Sequence, residues 1–228
     1  MAKRLRFLVT AGPTREPLDA IRFLTNRSSG KMGYALATAA RDRCHVVRLV
    51  SGPVSIPPVA GVALQPVETA EEMCAAVLGA LPHSDVLVMC AAVADYRPAE
   101  VLAGKREKRE GDEWLLRLVR TPDILLAVGR AEFDGLRVGF AAEYGDPVPR
   151  ATEKLERKAL DLIVANDISR PGLGMGADDG HVCAIDRWGG RRWLGPDRKS
   201  RIAAGLLDVM ESAWLRREEE CRCGGGRP

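Results

Sequence analysis

Thr25-Asn26-Arg27-Ser28-Ser29-Gly30-Lys31-Met32-Gly33 packs an amide, two serine hydroxyls, two glycines and a lysine between an apolar, strand-like run and an Ala-rich, helix-like one. Glycine lets backbone N–H groups come close to a ligand, and a helix N-terminus favours an anion. The turn therefore suits a nucleotide phosphate, with Asn26 acting on an acyl group that is being activated. The same residues also suit a plain capped helix start, with Ser28 or Ser29 as N-cap. Spacing alone leaves both readings open.

Other chemistries lack their residues. Gly12 follows the first apolar run without the G-x-G-x-x-G fingerprint of dinucleotide-dependent oxidoreductases. None of Tyr34, Tyr96 and Tyr144 has a lysine four residues on, as a Tyr/Lys hydride-transfer pair would need. Gly30-Lys31 is followed by Met32, so there is no Walker P-loop. His45, His83 and His181 are scattered singly and read as surface or structural residues, and no serine sits in G-x-S-x-G. An amide, carboxylates and several lysines remain. That set suits binding a phosphorylated anion and stabilising charge in a transfer reaction without a protein nucleophile.

The elements that must position these groups alternate along the chain. Strands are expected at Leu5 to Thr10, Val46 to Val50, Val62 to Val67, Asp85 to Cys90, Arg137 to Phe140 and Leu160 to Ala165. Helices are expected at Lys31 to Arg43, from Glu68-Thr69-Ala70-Glu71-Glu72 to about Leu81, after Thr121-Pro122-Asp123, and at Arg150 to Ala159. Continuously apolar strands alternating with helices predict a parallel, doubly wound α/β sheet, with ligands outside the carboxyl ends of its strands. That rule puts the loops after Thr10, Val50 and Cys90 on one rim and brings Asn26 and Asp95 into one crevice. Arg15 to Arg27 reads as an irregular loop, Trp114 to Val119 as an edge strand, and Val182 to Leu194 as a hairpin around Gly189-Gly190. Charge-rich Glu100 to Glu113 is either a solvated loop or a mobile phosphate-gripping flap, spanning about 98–113. Lys154 and Lys158 lie four apart on one helix face, a pattern that solvent exposure alone would explain. Lys199 to Arg217 reads as a final amphipathic helix. The domain is thus 1–217, with 218–228 as a flexible tail.

Composition narrows the classes further. At 228 residues, 46% hydrophobic and 29% charged, the chain suits one globular domain. A net charge of +3 and 5% aromatic residues do not point to nucleic acid. Cys221-x-Cys223 has no second pair to complete a zinc site. No secretory leader is recognisable and no apolar run approaches the roughly 20 residues of a membrane span, so a cytoplasmic location without membrane partners is expected.

Six stretches, in order, resemble phosphopantothenate–cysteine ligase (phosphopantothenoylcysteine synthetase) of coenzyme A biosynthesis. They are Thr10 to Pro17, Asn26 to Gly33, Cys90 to Tyr96, Thr121 to Ile124, Gly139 to Glu143 and Leu160 to Asp167. The resemblance implies a Rossmann-like fold, a homodimer, and a two-step reaction that needs Mg²⁺. The 4'-phosphopantothenate carboxylate would attack the α-phosphate of CTP, and L-cysteine would then displace CMP from the acyl-cytidylate. Asn26 matches the position that stabilises this intermediate, and Lys105 the first lysine of a K-x-K-K flap; both are catalytic candidates. Met89, Cys90, Ala91, Asp95, Pro122, Asp123, Ile124, Leu125, Phe140, Lys154 and Lys158 match nucleotide contacts. Lys105, Gly12, Ser28, Ser29 and Gly30 complete the nucleotide-binding set. The metal ligand is not identified; Asp95 is the candidate. Two departures stand out: Glu107 replaces a flap lysine, and Met175 to Gly180 differs from the family's F-x-S-D-x-N loop. The FMN-dependent decarboxylase half found fused in many relatives is absent, so a stand-alone ligase without FMN is expected. An NAD(P)-dependent Rossmann oxidoreductase and a nucleotide-binding module without catalysis are the alternatives.

Overall fold

Arg6–Ala11 (β1) is buried at every position after the first and forms the middle of the molecule. The computed structural model describes residues 3–107, 113–170, 172–174 and 176–223. After β1 come Arg15–Pro17 (β2), Phe23–Thr25 (β3), the helix Lys31–Asp42 (α1), Val46–Ser51 (β4) and Ala63–Pro66 (β5). Ala70–Ala80 (α2), Val86–Met89 (β6), Tyr96–Pro98 (β7), Leu118–Arg120 (β8), Ile124–Arg130 (α3) and Leu136–Glu143 (β9) follow. Val148–Arg157 (α4), Leu162–Asp167 (β10), Asp179–Asp186 (β11), Arg191–Arg198 (β12) and Lys199–Arg222 (α5) complete the order.

Eight strands form one sheet in the order β12-β11-β10-β9-β6-β1-β4-β5. The six from β5 to β10 are parallel, and β11 and β12 are added antiparallel at one edge. Numbered along the chain, the parallel strands run 3-2-1-4-5-6, the doubly wound Rossmann order, whose switch point lies between β1 and β6. The expected α/β class, the parallel sheet and the late hairpin are all present. One face is covered by α1 and α5, which bury Leu36, Leu206 and Met210 against Phe7, Val9 and Val88. The other face is covered by α2 and α3 over Leu8 and Leu87, and by α4 over Ile163 and Cys183.

Local chemistry sets several boundaries. Thr69 caps α2 by accepting a hydrogen bond from Glu72 N at 3.2 Å, and the Glu72 carboxylate accepts one from Glu68 N at 2.7 Å. Four expectations change. The 15–27 segment is not irregular, because β2 and β3 pair antiparallel. The strand expected over 114–119 is reduced to β8, which pairs with β7 outside the main sheet. The final helix does not stop at Arg217 but continues to Arg222, held there by Lys3–Glu218 and by Trp188 Nε1 donating to Glu220 at 2.5 Å. Lastly, α1 is capped by neither serine, since Gly30 takes the cap position at φ 77°.

Gly33 lets α1 approach β1 closely. A Cβ there would stand 2.6 Å from Ala11 Cβ and 3.0 Å from Thr10 O, whereas a Cβ on Gly79 of α2 meets no described atom within 4 Å. Alanine favours a helix over glycine by about 1 kcal/mol. At Gly33 this gain is outweighed, because a central strand cannot give way and overpacking costs about 1–3 kcal/mol. Gly33→Ala should therefore lower Tm and Gly79→Ala should raise it, as read by thermal unfolding of the two variants.

Candidate active site

At the switch point the chain after β1 and the chain after β6 are stitched together. The buried Thr10 hydroxyl oxygen accepts from Cys90 N at 3.1 Å and from Ala91 N at 3.0 Å. Thr14 Oγ1 accepts from Ala94 N at 3.0 Å, while Gly12 O accepts from Ala92 N at 2.9 Å. This holds residues 90–95 open as the wall of a crevice of roughly 800 Å³. Asn26 hangs from the same wall, its Nδ2 donating to Ala92 O and Val93 O, both at 3.1 Å. Both amide hydrogens are thereby committed. Stabilising an oxyanion would require the substrate to take one of them from a carbonyl.

The crevice gathers most of the predicted residues. Asn26, Ser28, Gly30, Met89, Cys90, Ala91, Asp95, Pro122, Asp123, Ile124, Leu125, Phe140, Lys154 and Lys158 all line it. The two lysines are not simple surface residues. Lys154 Nζ donates to Phe140 O at 2.9 Å, and burial pushes its ammonium below the ordinary lysine range, against the pull of Glu143 and Asp95. Lys158 has a side chain only 14% exposed and pairs with Asp123. Asp123 also caps α3, accepting from Leu126 N at 3.0 Å. Burial by itself would raise the Asp123 carboxyl; Lys158 and the Leu126 N–H outweigh it and hold the carboxyl below the usual range. Desolvation pushes the half-buried Cys90 thiol up to about 12, so it is no thiolate nucleophile.

Three predicted residues are not brought in. Gly12 lies behind the wall with φ +73°, where a Cβ would meet Gly52 O at 2.9 Å. Ser29 does not line the crevice. Lys105 is exposed and outside it. The flap base is instead tied to the β2–β3 connection: Leu102 N donates to Leu18 O at 3.1 Å and Arg106 N to Asp19 Oδ2 at 3.2 Å. Flap residues 108–112 lie outside the described residues. The loop after β4 starts on the expected rim, where Gly52 N donates to Ala11 O at 3.0 Å and Val54 packs beside Gly12 and Gly30. Further on, residues 56–60 line a groove of roughly 540 Å³ that shares Lys31 and Lys199 with the crevice.

The structure adds residues that sequence reading missed. Thr10 and Thr14 hold the wall, Asn166 presents a buried Oδ1 with no hydrogen-bond partner among the described residues, and Lys199 lines the crevice although it is only 8% exposed. A signal existed for Lys199, since a lysine on the first residue of a helix opposes the helix dipole. Among the described residues no three His, Cys, Asp or Glu side chains converge on a cation position. A cation bound in the crevice would therefore take most of its ligands from a substrate and only one or two from protein carboxylates. Asp95 and Glu143 are carboxylates in reach of the crevice.

Fold and site together define a Rossmann-ordered α/β protein with a lysine-lined, nucleotide-sized crevice at its switch point. The chain belongs to the family described as the DNA/pantothenate metabolism flavoprotein C-terminal domain, which matches residues 2–213. It is 47% identical over 208 residues to the coenzyme A biosynthesis bifunctional protein CoaBC of Vibrio vulnificus strain YJ016, covering 90% of this chain and 51% of that protein. With CoaBC of Escherichia coli K12 it shares 44% over 213 residues, or 91% and 52% of the two chains. The chain thus spans about half the length of the curated relatives it matches. The crystal structure of a CoaBC C-terminal domain superposes with a TM-score of 0.79 at 38% identity, over 92% of this chain and 96% of that one. A Cab2 mutant solved in complex with phosphopantothenate-cysteine shares the fold at 14% identity, with a TM-score of 0.76 over 94% and 89% of the chains. No helix among the described residues is long and apolar enough to cross a membrane.

The Asp123–Lys158 pair gives a pH signature. Because the folded carboxyl is held low, its stabilisation is fully present above the ordinary carboxylate range and is lost as pH falls through the depressed value. Asn retains the cap acceptor but not the charge. The stability gap between wild type and Asp123→Asn should therefore be present at pH 7 and close in acid. A gap in urea unfolding that stays constant with pH would remove the ion pair from the account.

Proposed function

We propose that this chain is a phosphopantothenate–cysteine ligase that uses CTP. The observation that carries the reading is the Asn26 amide held on the crevice wall by Ala92 O and Val93 O, in a crevice also lined by Lys154 of α4 and Lys158 just after it. Family membership and relatives that are coenzyme A biosynthesis proteins support it. In the first step the phosphopantothenate carboxylate attacks the α-phosphorus of CTP; the acyl-cytidylate forms and pyrophosphate leaves. In the second, the amine of L-cysteine attacks the acyl carbon, CMP leaves with the bonding pair, and the amine loses its proton. Asn26 donates to the acyl oxygen as charge builds there, giving up one backbone carbonyl to do so. Lys154 and Lys158 hold phosphate or base, and Lys105 adds its charge from the flap. Mg²⁺, held by Asp95 together with phosphate oxygens, would neutralise the triphosphate.

The same reading covers the assembly. Phe23 on β3, Tyr96 and Leu118 on the β7–β8 pair, and neighbouring Leu115 and Leu116 are all exposed. Such apolar side chains on small sheets beside the flap suit a homodimer interface. The ligase forms one domain that runs past the expected boundary at residue 217 to the end of α5, working in the cytoplasm.

Pyrophosphate release should require CTP, phosphopantothenate and Mg²⁺ together, with ATP a poorer substrate. Absence of turnover with any nucleoside triphosphate would reject the enzyme reading, and CTP binding without release would leave a binding module. Asn26→Asp puts a carboxylate where an oxyanion develops and removes the donor, so amide formation should fall by about 10²-fold or more. Unchanged product formation, followed by mass spectrometry, would take Asn26 out of the reaction.

A further inference from the structure

Lys154 of α4 and Lys158 just after it approach the crevice from one face of the sheet, and a second pair approaches from the other. Lys31 is the first residue of α1 and Lys199 the first of α5, and both line the crevice. Each is turned to the loop before β11. Lys31 Nζ donates to Asp178 Oδ1 at 2.6 Å and to Gly176 O at 3.1 Å. Lys199 Nζ donates to Ala177 O at 2.5 Å and to Gly174 O at 3.5 Å.

The pair is costly where it stands. Lysine is rarely buried to this degree, and burial together with the Lys31 charge pushes the Lys199 ammonium below its ordinary range. Both lysines occupy helix N-termini, where the dipole disfavours a cation, and neither helix has an acidic residue in its first turn. Peptide carbonyls are weaker partners for an ammonium than anionic oxygens are. Two neighbouring ammoniums, Lys199 held by carbonyls and Lys31 by one carbonyl and the exposed Asp178 carboxylate, at the wall of a crevice for phosphorylated substrates, match the requirements of a phosphate dianion.

We propose that Lys31 and Lys199 form a second phosphate-binding pair of the crevice, exchanging the loop oxygens of Gly174, Gly176, Ala177 and Asp178 for a substrate phosphate. This rests on the ligase reading. The phosphate is either the outer part of the nucleoside triphosphate or the 4'-phosphate of phosphopantothenate, and the pair acts by binding and positioning it.

The test measures KM for CTP, phosphopantothenate and cysteine with wild type, Lys199→Met, Lys199→Arg and Lys31→Met. Methionine keeps the buried stem of Lys199 without its charge. If Lys199→Met fails to fold, Lys31→Met, at a side chain 38% exposed, carries the test. The expected result is a rise of about tenfold in KM for one phosphorylated substrate, partial rescue by arginine, and no change in KM for cysteine. A rise for CTP assigns the triphosphate, and a rise for phosphopantothenate assigns the 4'-phosphate. Calorimetric titration of the same two compounds reads binding without turnover. A wild type that binds both but releases no pyrophosphate fails the ligase reading alone. Affinities and KM values unchanged in both methionine variants overturn the phosphate pair alone.

Discussion

Two threonine hydroxyls hold the crevice open. Thr10 and Thr14 stand at and just beyond the end of β1 and accept hydrogen bonds from Cys90 N, Ala91 N and Ala94 N. A parallel sheet ends there, so the backbone after β6 has lost its ladder partners, and each donor left unpaired and buried costs about 1–3 kcal/mol. The hydroxyls replace those partners while letting the chain turn outward. Asn26 then hangs from the carbonyls of the same turn, and Thr121 N donates to Asp95 O at 3.1 Å, tying in the start of α3. The wall, the amide and the α3 cap thus depend on one stitched junction.

The two faces of the sheet supply the cations separately. From one side α4 sends Lys154, and the residue that follows the helix is Lys158, anchored by Asp123 at the head of α3. From the other, α1 and α5 send Lys31 and Lys199. A sheet covered on both sides can direct charge at a single rim from helices on its opposite faces. Desolvation weakens the Lys154 and Lys199 ammoniums, and the neighbouring carboxylates and carbonyls restore enough support to keep them there.

The start of α5 can sit at the crevice because its far end is fixed. Arg217 donates through Nε to Asp134 O at 2.9 Å and through Nη1 to the buried Asp161 at 3.4 Å. Arg187 also contacts Asp161 at 3.3 Å and pairs with Glu220 of the helix. These contacts extend the helix past Arg217, where sequence reading ended it. A helix clamped this way holds Lys199 at its head despite the unfavourable dipole.

Local pattern was enough to read the elements and the family from the amino-acid order. Apolar runs set the parallel strands, Thr69 and Asp123 marked helix starts, and Gly189-Gly190 marked the hairpin. Six ordered motifs pointed to the family and to most of the crevice. The tertiary structure alone decided which groups meet. Thr10 reaches Cys90 across 80 positions, and Lys31 reaches Asp178 across 147. Neither contact leaves a period or spacing to read, because side-chain periodicity reports the face of one element and not what lies opposite. For the same reason Lys105 and Gly12 matched motifs yet stand outside the crevice, while Lys199 matched none and lies within it. Long-range packing, not sequence order, assembles a site at the ends of strands.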